Sequence, residues 1–167
     1  MAPESTIKSL LREDISFSAP FTVSDLPHKA KLDQNESPFD LPEDVKTFML
    51  EKLRECQWNR YPQPLMYAEV KEAFARVIGF SPENIILTIG CDQLIQGAYL
   101  VAGGHDRKAL VFEPTYPMFC HAAQFNRTKV TRVQLAADEM VTRNHIDSSN
   151  HHIVFIVAPN NPTGTIP

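Results

Sequence analysis

Six apolar residues, Ile153 to Ala158, run straight into Pro159-Asn160-Asn161-Pro162-Thr163-Gly164, and this junction constrains the fold more than any other stretch of the chain. A short apolar run bounded by turn residues reads as a buried strand, which belongs in a sheet covered by other layers. The prolines and the glycine make its carboxyl end a stiff turn. Only three residues, Thr165 to Pro167, come after it. Within this chain the strand must find its sheet neighbours upstream.

Those neighbours are legible. Ser81-Pro82-Glu83-Asn84 predicts a turn, Ile85 to Ile89 a short strand, and Gly90 the opening of a helix from Asp92 to Ala102 that Gly103-Gly104 ends. Ala109 to Phe112 predicts a strand, Tyr116 to Phe125 a helix, and Lys129 to Leu135 a further strand. The polar stretch Ala136 to His152 reads as loop with at most one short helix. Earlier in the chain, Asp40-Leu41-Pro42-Glu43 marks a helix start, with Asp40 as N-cap, Pro42 in the first turn and acids at the positive end. Val45, Phe48, Met49 and Leu53 form its apolar stripe. Val70, Ala73, Phe74, Val77 and Ile78 repeat the helical spacing more strongly, with Gly79 as a left-handed stop. Alternating strands and helices of this kind imply an α/β domain, a mainly parallel sheet with flanking helices.

Composition narrows the function classes. Sixteen Lys and Arg against twenty Asp and Glu give a net charge of -4, so no uniform basic field is present and nucleic acid is not an expected partner. Met1 to Asp14 lacks the apolar core of a secretory signal, and no stretch approaches the ~20 apolar residues of a membrane span. The expectation is a cytoplasmic protein with no membrane partner. Cys56, Cys91 and Cys120 are odd in number and widely spaced, which suits reduced thiols, and the six histidines show no metal-ligand spacing. No metal is expected.

In open α/β sheets ligands lie beyond the carboxyl ends of the strands. Gly90-Cys91-Asp92-Gln93 follows the first strand, where a glycine turn into a helix aims free amides at a phosphate, although a plain strand-to-helix turn reads the same way. Glu113-Pro114-Thr115-Tyr116-Pro117 follows the second and brackets an aromatic ring with prolines, as a stacking platform or a core tyrosine would be. At the third, Pro162 restricts Asn161, whose side-chain amide becomes a donor at a set angle, or simply part of the turn. Together the three describe a pocket for a flat, phosphorylated aromatic.

Asn35-Glu36-Ser37-Pro38, Asn59-Arg60-Tyr61-Pro62, Gly90-Cys91-Asp92-Gln93, Pro114-Thr115-Tyr116 and Pro159 to Gly164 form, in this order, a series that resembles the class I/II aminotransferases of fold type I, and most of all their histidinol-phosphate branch. The likeness runs from about Lys31 to the last residue. It implies a pyridoxal 5′-phosphate (PLP) enzyme that moves an amino group between an amino acid or amino phosphate ester and a 2-oxo acid, with histidinol phosphate favoured and histidine biosynthesis as its setting. It implies an N-terminal arm and substrate-side segment over residues 1–40, then the first, incomplete part of the PLP-binding large domain over 41–167. Gly90, Cys91 and Asp92 would hold the cofactor phosphate, Tyr116 would stack on its ring, and Asn161 would hydrogen bond its phenolic oxygen. Tyr61 would reach the phosphate of the other subunit in a homodimer, and Asn35 and Glu36 would lie near the substrate. The peptide bonds before Pro114 and Pro162 are expected to be cis, as is frequent in the family.

Three positions depart from the family pattern: Gln63 stands where aspartate is common, Gln93 where glutamate is usual, and Ser37 at a place that varies among branches. The family's Asp for the ring nitrogen, Schiff-base Lys and Arg for the substrate carboxylate all follow the Asn-Pro-Thr-Gly turn. The eight lysines here, from Lys8 to Lys129, all precede it. The resemblance therefore names no catalytic residue in this chain, and by itself the chain is expected to be inactive, with an open sheet edge that favours association. Two other readings stay open: a non-catalytic remnant that only binds a phosphate or partner, and an enzyme of the related threonine-phosphate decarboxylase type.

Overall fold

The computed structural model describes residues 10, 12, 14–15, 30–31, 33–136, 139–147 and 150–166. The chain divides into two compact units, one of Ala19–Ile86 and one of Met1–Ser18 with Leu87–Pro167.

In the Ala19–Ile86 unit, α1 (Glu43–Glu55) and α2 (Pro64–Ile78) precede a single 3₁₀ turn, Pro82–Asn84, where the sequence predicts a turn. Glu43 and Asp44 occupy the first turn of α1, and Pro64 stands at the head of α2, each suited to a helix amino end. Asp40 is not the N-cap of α1. Pro42 takes that position, and the Asp40 carboxylate accepts the Leu41 N–H at 2.7 Å and pairs with Lys46. Lying two residues before the cap, it engages its own neighbour rather than the helix amides. Gly79 ends α2 as its sequence position predicts, at φ 75°, and its N–H and that of Phe80 converge on the Ala75 carbonyl at 2.9 and 3.2 Å. The Phe80 bond is the 6→1 bond of a Schellman motif and the Gly79 bond the 5→1 bond of the αL stop. The predicted stripe of α1 is present but exposed within the unit, and Ala75 is the buried residue of α2.

The second unit contains α3 (Gly90–Ala102), β1 (Lys108–Glu113), α4 (Met118–Phe125), β2 (Lys129–Gln134), α5 (Arg143–Asp147) and β3 (Ile153–Phe155). The sheet is parallel throughout, in the order β2-β1-β3, with Ala109 opposite both Val130 and Ile153. The central strand is buried over four consecutive residues, Ala109 to Phe112, because both of its faces are covered. Ala109 and Val111 pack against Ile95 and Tyr99 of α3 and Phe119, Ala122 and Ala123 of α4. Leu110 and Phe112 face the other way, and there the Phe112 ring lies 6.0 Å from that of His145 in α5. The Tyr99 hydroxyl, at the centre of the core, donates to the Phe119 carbonyl at 2.7 Å and so ties α3 to α4.

Three elements differ from expectation. Ile85 to Ile89 forms no strand: Ile85 is extended and buried, but Ile86 and Ile89 are exposed and no described strand pairs with the segment. Apolar content alone supplies no ladder partner. α4 starts at Met118 rather than Tyr116, since a residue before proline avoids helical dihedrals and Tyr116 precedes Pro117. β3 is three residues long and half-buried instead of a buried run to Ala158. Its pairing with β1 stops at Val111–Phe155, while β1 itself runs on beside β2 to Glu113. The polar stretch after β2 holds one short helix, α5, as expected.

Candidate functional site

The carboxyl ends of the strands and the amino end of α3 gather the residues that the sequence singles out in the larger unit. At the head of α3, Gly90 adopts φ +71°, a conformation that favours glycine, and a Cβ there would meet nothing within 4 Å. Glycine therefore serves the bend itself and leaves open space above it. Thr88 Oγ1 donates to the Gly90 carbonyl at 3.0 Å, and Gln93 Oε1 accepts the Ile89 N–H at 2.9 Å. Gln93 thus does with a neutral amide what a glutamate would do there with a charge. No side chain caps α3 from Ile89; the Gly90 N–H turns back to the Thr88 carbonyl at 3.1 Å, and the following first-turn amides and the positive dipole end of this 13-residue helix suit an anion. Cys91 is exposed at this bend.

The bend is joined to the turn after β1. The Tyr116 hydroxyl donates to Asp92 Oδ2 at 3.3 Å, a long contact for an O–H donor, and its ring stands edge-on to Phe119 with centroids 6.3 Å apart. Burial, and then the Asp92 carboxylate, push the Tyr116 phenol above its ordinary value, so it stays a neutral donor. The turn after β1 is in turn joined to the turn after β3. Thr115 Oγ1 donates to Asn160 Oδ1 at 2.7 Å, and Asn160 Nδ2 donates to the Pro114 carbonyl at 2.7 Å. Asn161, next in the chain, is half-buried. The Glu113–Pro114 and Asn161–Pro162 bonds are cis, as the resemblance implies, and so is Ala158–Pro159, which the sequence reading did not anticipate.

A cleft of about 210 Å³ opens at the same end of the sheet, lined by Phe112, Glu113, Leu135, Val157, Asn160 and Thr163 among others. Gly90, Cys91, Asp92 and Tyr116 do not line it. It opens beside the Asn160 turn, whereas Tyr116 packs with Phe119 on the α4 side of the sheet. The remaining sequence-singled residues belong to the smaller unit. Asn35 has φ +53°, Glu36 pairs with Lys31, and Tyr61 is 93% exposed on the α1–α2 connection. Among the described residues no group of His, Cys, Asp and Glu could hold a metal ion, and no helix is long and apolar enough to cross a membrane.

Sequence reading passed over Thr115, Asn160 and the capping role of Gln93. The Asn160-Asn161 doublet is the signal that was available: two amides before one proline allow one of them to hold the turn.

Residues 27–167 match the family model for aminotransferase class I and II. The chain is 33% identical over 159 residues to the histidinol-phosphate aminotransferase of Thermococcus gammatolerans, an alignment that covers 94% of this chain and 46% of that protein. It spans about half the length of the curated relatives it matches. The histidinol-phosphate aminotransferase of Sinorhizobium meliloti, solved in complex with pyridoxal-5′-phosphate, superposes with a TM-score of 0.67 at 23% identity, over 77% of this chain and 35% of that one. The aspartate aminotransferase of Thermotoga maritima superposes with a TM-score of 0.66 at 22% identity, over 77% and 37%. At such identities the structural likeness concerns the fold.

Proposed function

The chain belongs to the class I and II aminotransferase family, whose members use PLP, and from that premise we propose that it carries the phosphate- and ring-binding part of a transaminase acting on an amino acid or amino phosphate ester, with histidinol phosphate favoured, and a 2-oxo acid. The observation that carries the reading is the linkage of the α3 head with two strand ends: Asp92 to Tyr116, and Thr115 to Asn160 beside Asn161. These residues fit PLP. A helix start with a glycine bend and no side-chain cap from Ile89 suits a phosphate, a braced tyrosine suits a pyridine face, and a restricted asparagine amide suits a phenolic oxygen.

When bound, PLP supplies an electron-poor ring that takes up the charge left when a bond to the substrate's amino carbon breaks. The protein's part is placement. The α3 amides of Cys91 and Asp92, beside the Gly90 bend, would hold the phosphate. Asp92 shares one carboxylate oxygen with Tyr116, which ties the ring platform to the head of α3. Asn161 would donate to the phenolic oxygen and so favour its ionised form. In the smaller unit, Asn35 and Glu36 serve the substrate, and Tyr61 serves the partner subunit's phosphate in a homodimer, a role its exposure allows.

Proton transfer at the substrate carbon needs a lysine. Lys108 and Lys129 open β1 and β2 opposite one another, at the amino ends of the strands, and six residues of strand, about 20 Å, separate them from the site. On this reading neither Lys108 nor Lys129 serves as that base.

The test has two stages. PLP should bind the chain saturably, inorganic phosphate should compete with it, and pyridoxal without its phosphate should bind far more weakly. With the whole protein, histidinol phosphate and 2-oxoglutarate should yield glutamate without release of carbon dioxide. Absence of saturable PLP binding by the whole protein would sink the proposal, and carbon dioxide release would replace transamination with decarboxylation.

A further inference from the structure

Asn160 makes more connections than any residue assigned so far. Its Nδ2 group donates to the Pro114 carbonyl at 2.7 Å and to Thr163 Oγ1 at 2.9 Å, and its Oδ1 accepts from Thr115 Oγ1 at 2.7 Å. Its backbone N–H donates to the Thr165 carbonyl at 2.7 Å, and its carbonyl accepts the Gly164 N–H at 2.7 Å. A primary amide offers two donors and one acceptor oxygen, and all three functions are used. These bonds begin where the sheet's own ladder stops, since β1 ends at Glu113 and β3 at Phe155. Past those residues two turns, the first with one cis peptide bond and the second with two, run without backbone pairing to each other, and Asn160 spans them.

We propose that Asn160 is a positioning residue: it locks the Pro114-Thr115-Tyr116 turn to the Asn160–Thr165 turn and so sets where the Asn161 amide stands relative to the Tyr116 ring. The proposal rests on the PLP reading for the roles of Tyr116 and Asn161. Neighbouring chemistry shows why asparagine is needed. Aspartate would keep the acceptor for Thr115 but present a carboxylate to the Pro114 carbonyl, and alanine would leave the Thr115 hydroxyl and that carbonyl without their shared partner. Group placement matters at this scale, because a shift of about 1 Å between reacting groups lowers rates by about 10²-fold.

The test uses the PLP-loaded protein and four variants, Asn160→Ala, Asn160→Asp, Thr115→Val and Thr115→Ser. Asn160→Ala and Asn160→Asp should weaken PLP binding about tenfold or more, roughly the loss of one charge-assisted hydrogen bond. They should also raise the pH midpoint of the bound coenzyme's visible absorption, because a misplaced Asn161 amide no longer favours the ionised phenolic oxygen. Thr115→Val should move both readouts the same way by a smaller factor, and Thr115→Ser, which restores the hydroxyl, should match the parent. A lowered melting temperature with unchanged affinity and unchanged absorption midpoint would make Asn160 merely structural and overturn the proposal. If the parent takes up no PLP, the functional reading fails by itself. The clamp is then judged in the coenzyme-free protein, where amide exchange at Gly164 should quicken in Asn160→Ala and Thr115→Val but not in Thr115→Ser. Unchanged exchange there overturns it as well.

Discussion

Replacing Gly103 by alanine should destabilise the larger unit more than any other single methyl added to a glycine of the chain. Gly103 follows α3, and its N–H closes the helix on the Tyr99 carbonyl at 2.8 Å. A Cβ at this position would lie 2.5 Å from Thr128 Oγ1, 2.5 Å from the Tyr99 carbonyl oxygen and 3.2 Å from Tyr99 Cδ1. The Tyr99 oxygen is backbone and Tyr99 is only 1% exposed, so neither obstacle on that residue swings aside. Thr128 is buried and its Oγ1 accepts the Gly104 N–H at 2.9 Å, so rotating it away breaks that bond. Overpacking contributes about 1–3 kcal/mol and the lost hydrogen bond about 1 kcal/mol. The stiffer unfolded chain returns about 0.4–1 kcal/mol. The net expectation is a loss of about 1–3.5 kcal/mol, read as a lower urea midpoint at unchanged slope by circular dichroism. Gly97→Ala is the internal control, because that glycine lies inside α3 with nothing within 4 Å of its added Cβ. It should stabilise by about 0.5–1 kcal/mol. A Gly103→Ala protein as stable as the parent would refute the steric reasoning.

Tyr99→Phe removes the buried donor to the Phe119 carbonyl and should cost about 1–3 kcal/mol of unfolding free energy in the same titration, with the fold retained. Gln93→Leu removes the acceptor of the Ile89 N–H and should speed amide exchange at Ile89 and weaken phosphate binding, whereas Gln93→Glu should preserve the cap and gain a few tenths of a kcal/mol from the helix dipole. Asp14, bonded to Arg12 and facing Arg127 at 3.0 Å, has its carboxyl lowered to about 2, first by the Arg12 hydrogen bond. A depressed carboxyl contributes stability that is present above its ordinary value and lost as pH falls through the folded one. Acidification from about pH 4 to 2 should therefore release this contact, with the Asp14 carboxyl titrating near the low end by NMR and moving up in Arg127→Ala.

Much of the architecture was legible because it depends on local patterns. Gly79 stops α2 since a helix end needs a left-handed residue, and the alternation from Gly90 to Phe155 could only become strands and covering helices in a parallel sheet. Strand lengths were less legible: Ile85 to Ile89 is as apolar as a strand, yet pairing needs a neighbour that no local pattern supplies. The same division runs through the site. Tyr116 and Asn161 stood out because prolines restrict them, a property of the chain itself. Thr115 and Asn160 are 45 residues apart, and their bond exists only because β1 and β3 lie side by side. Residue types and turns were thus determined along the polypeptide, while partners across the sheet were decided by tertiary structure, since hydrogen-bond complementarity between distant turns arises only when the fold brings them within 3 Å.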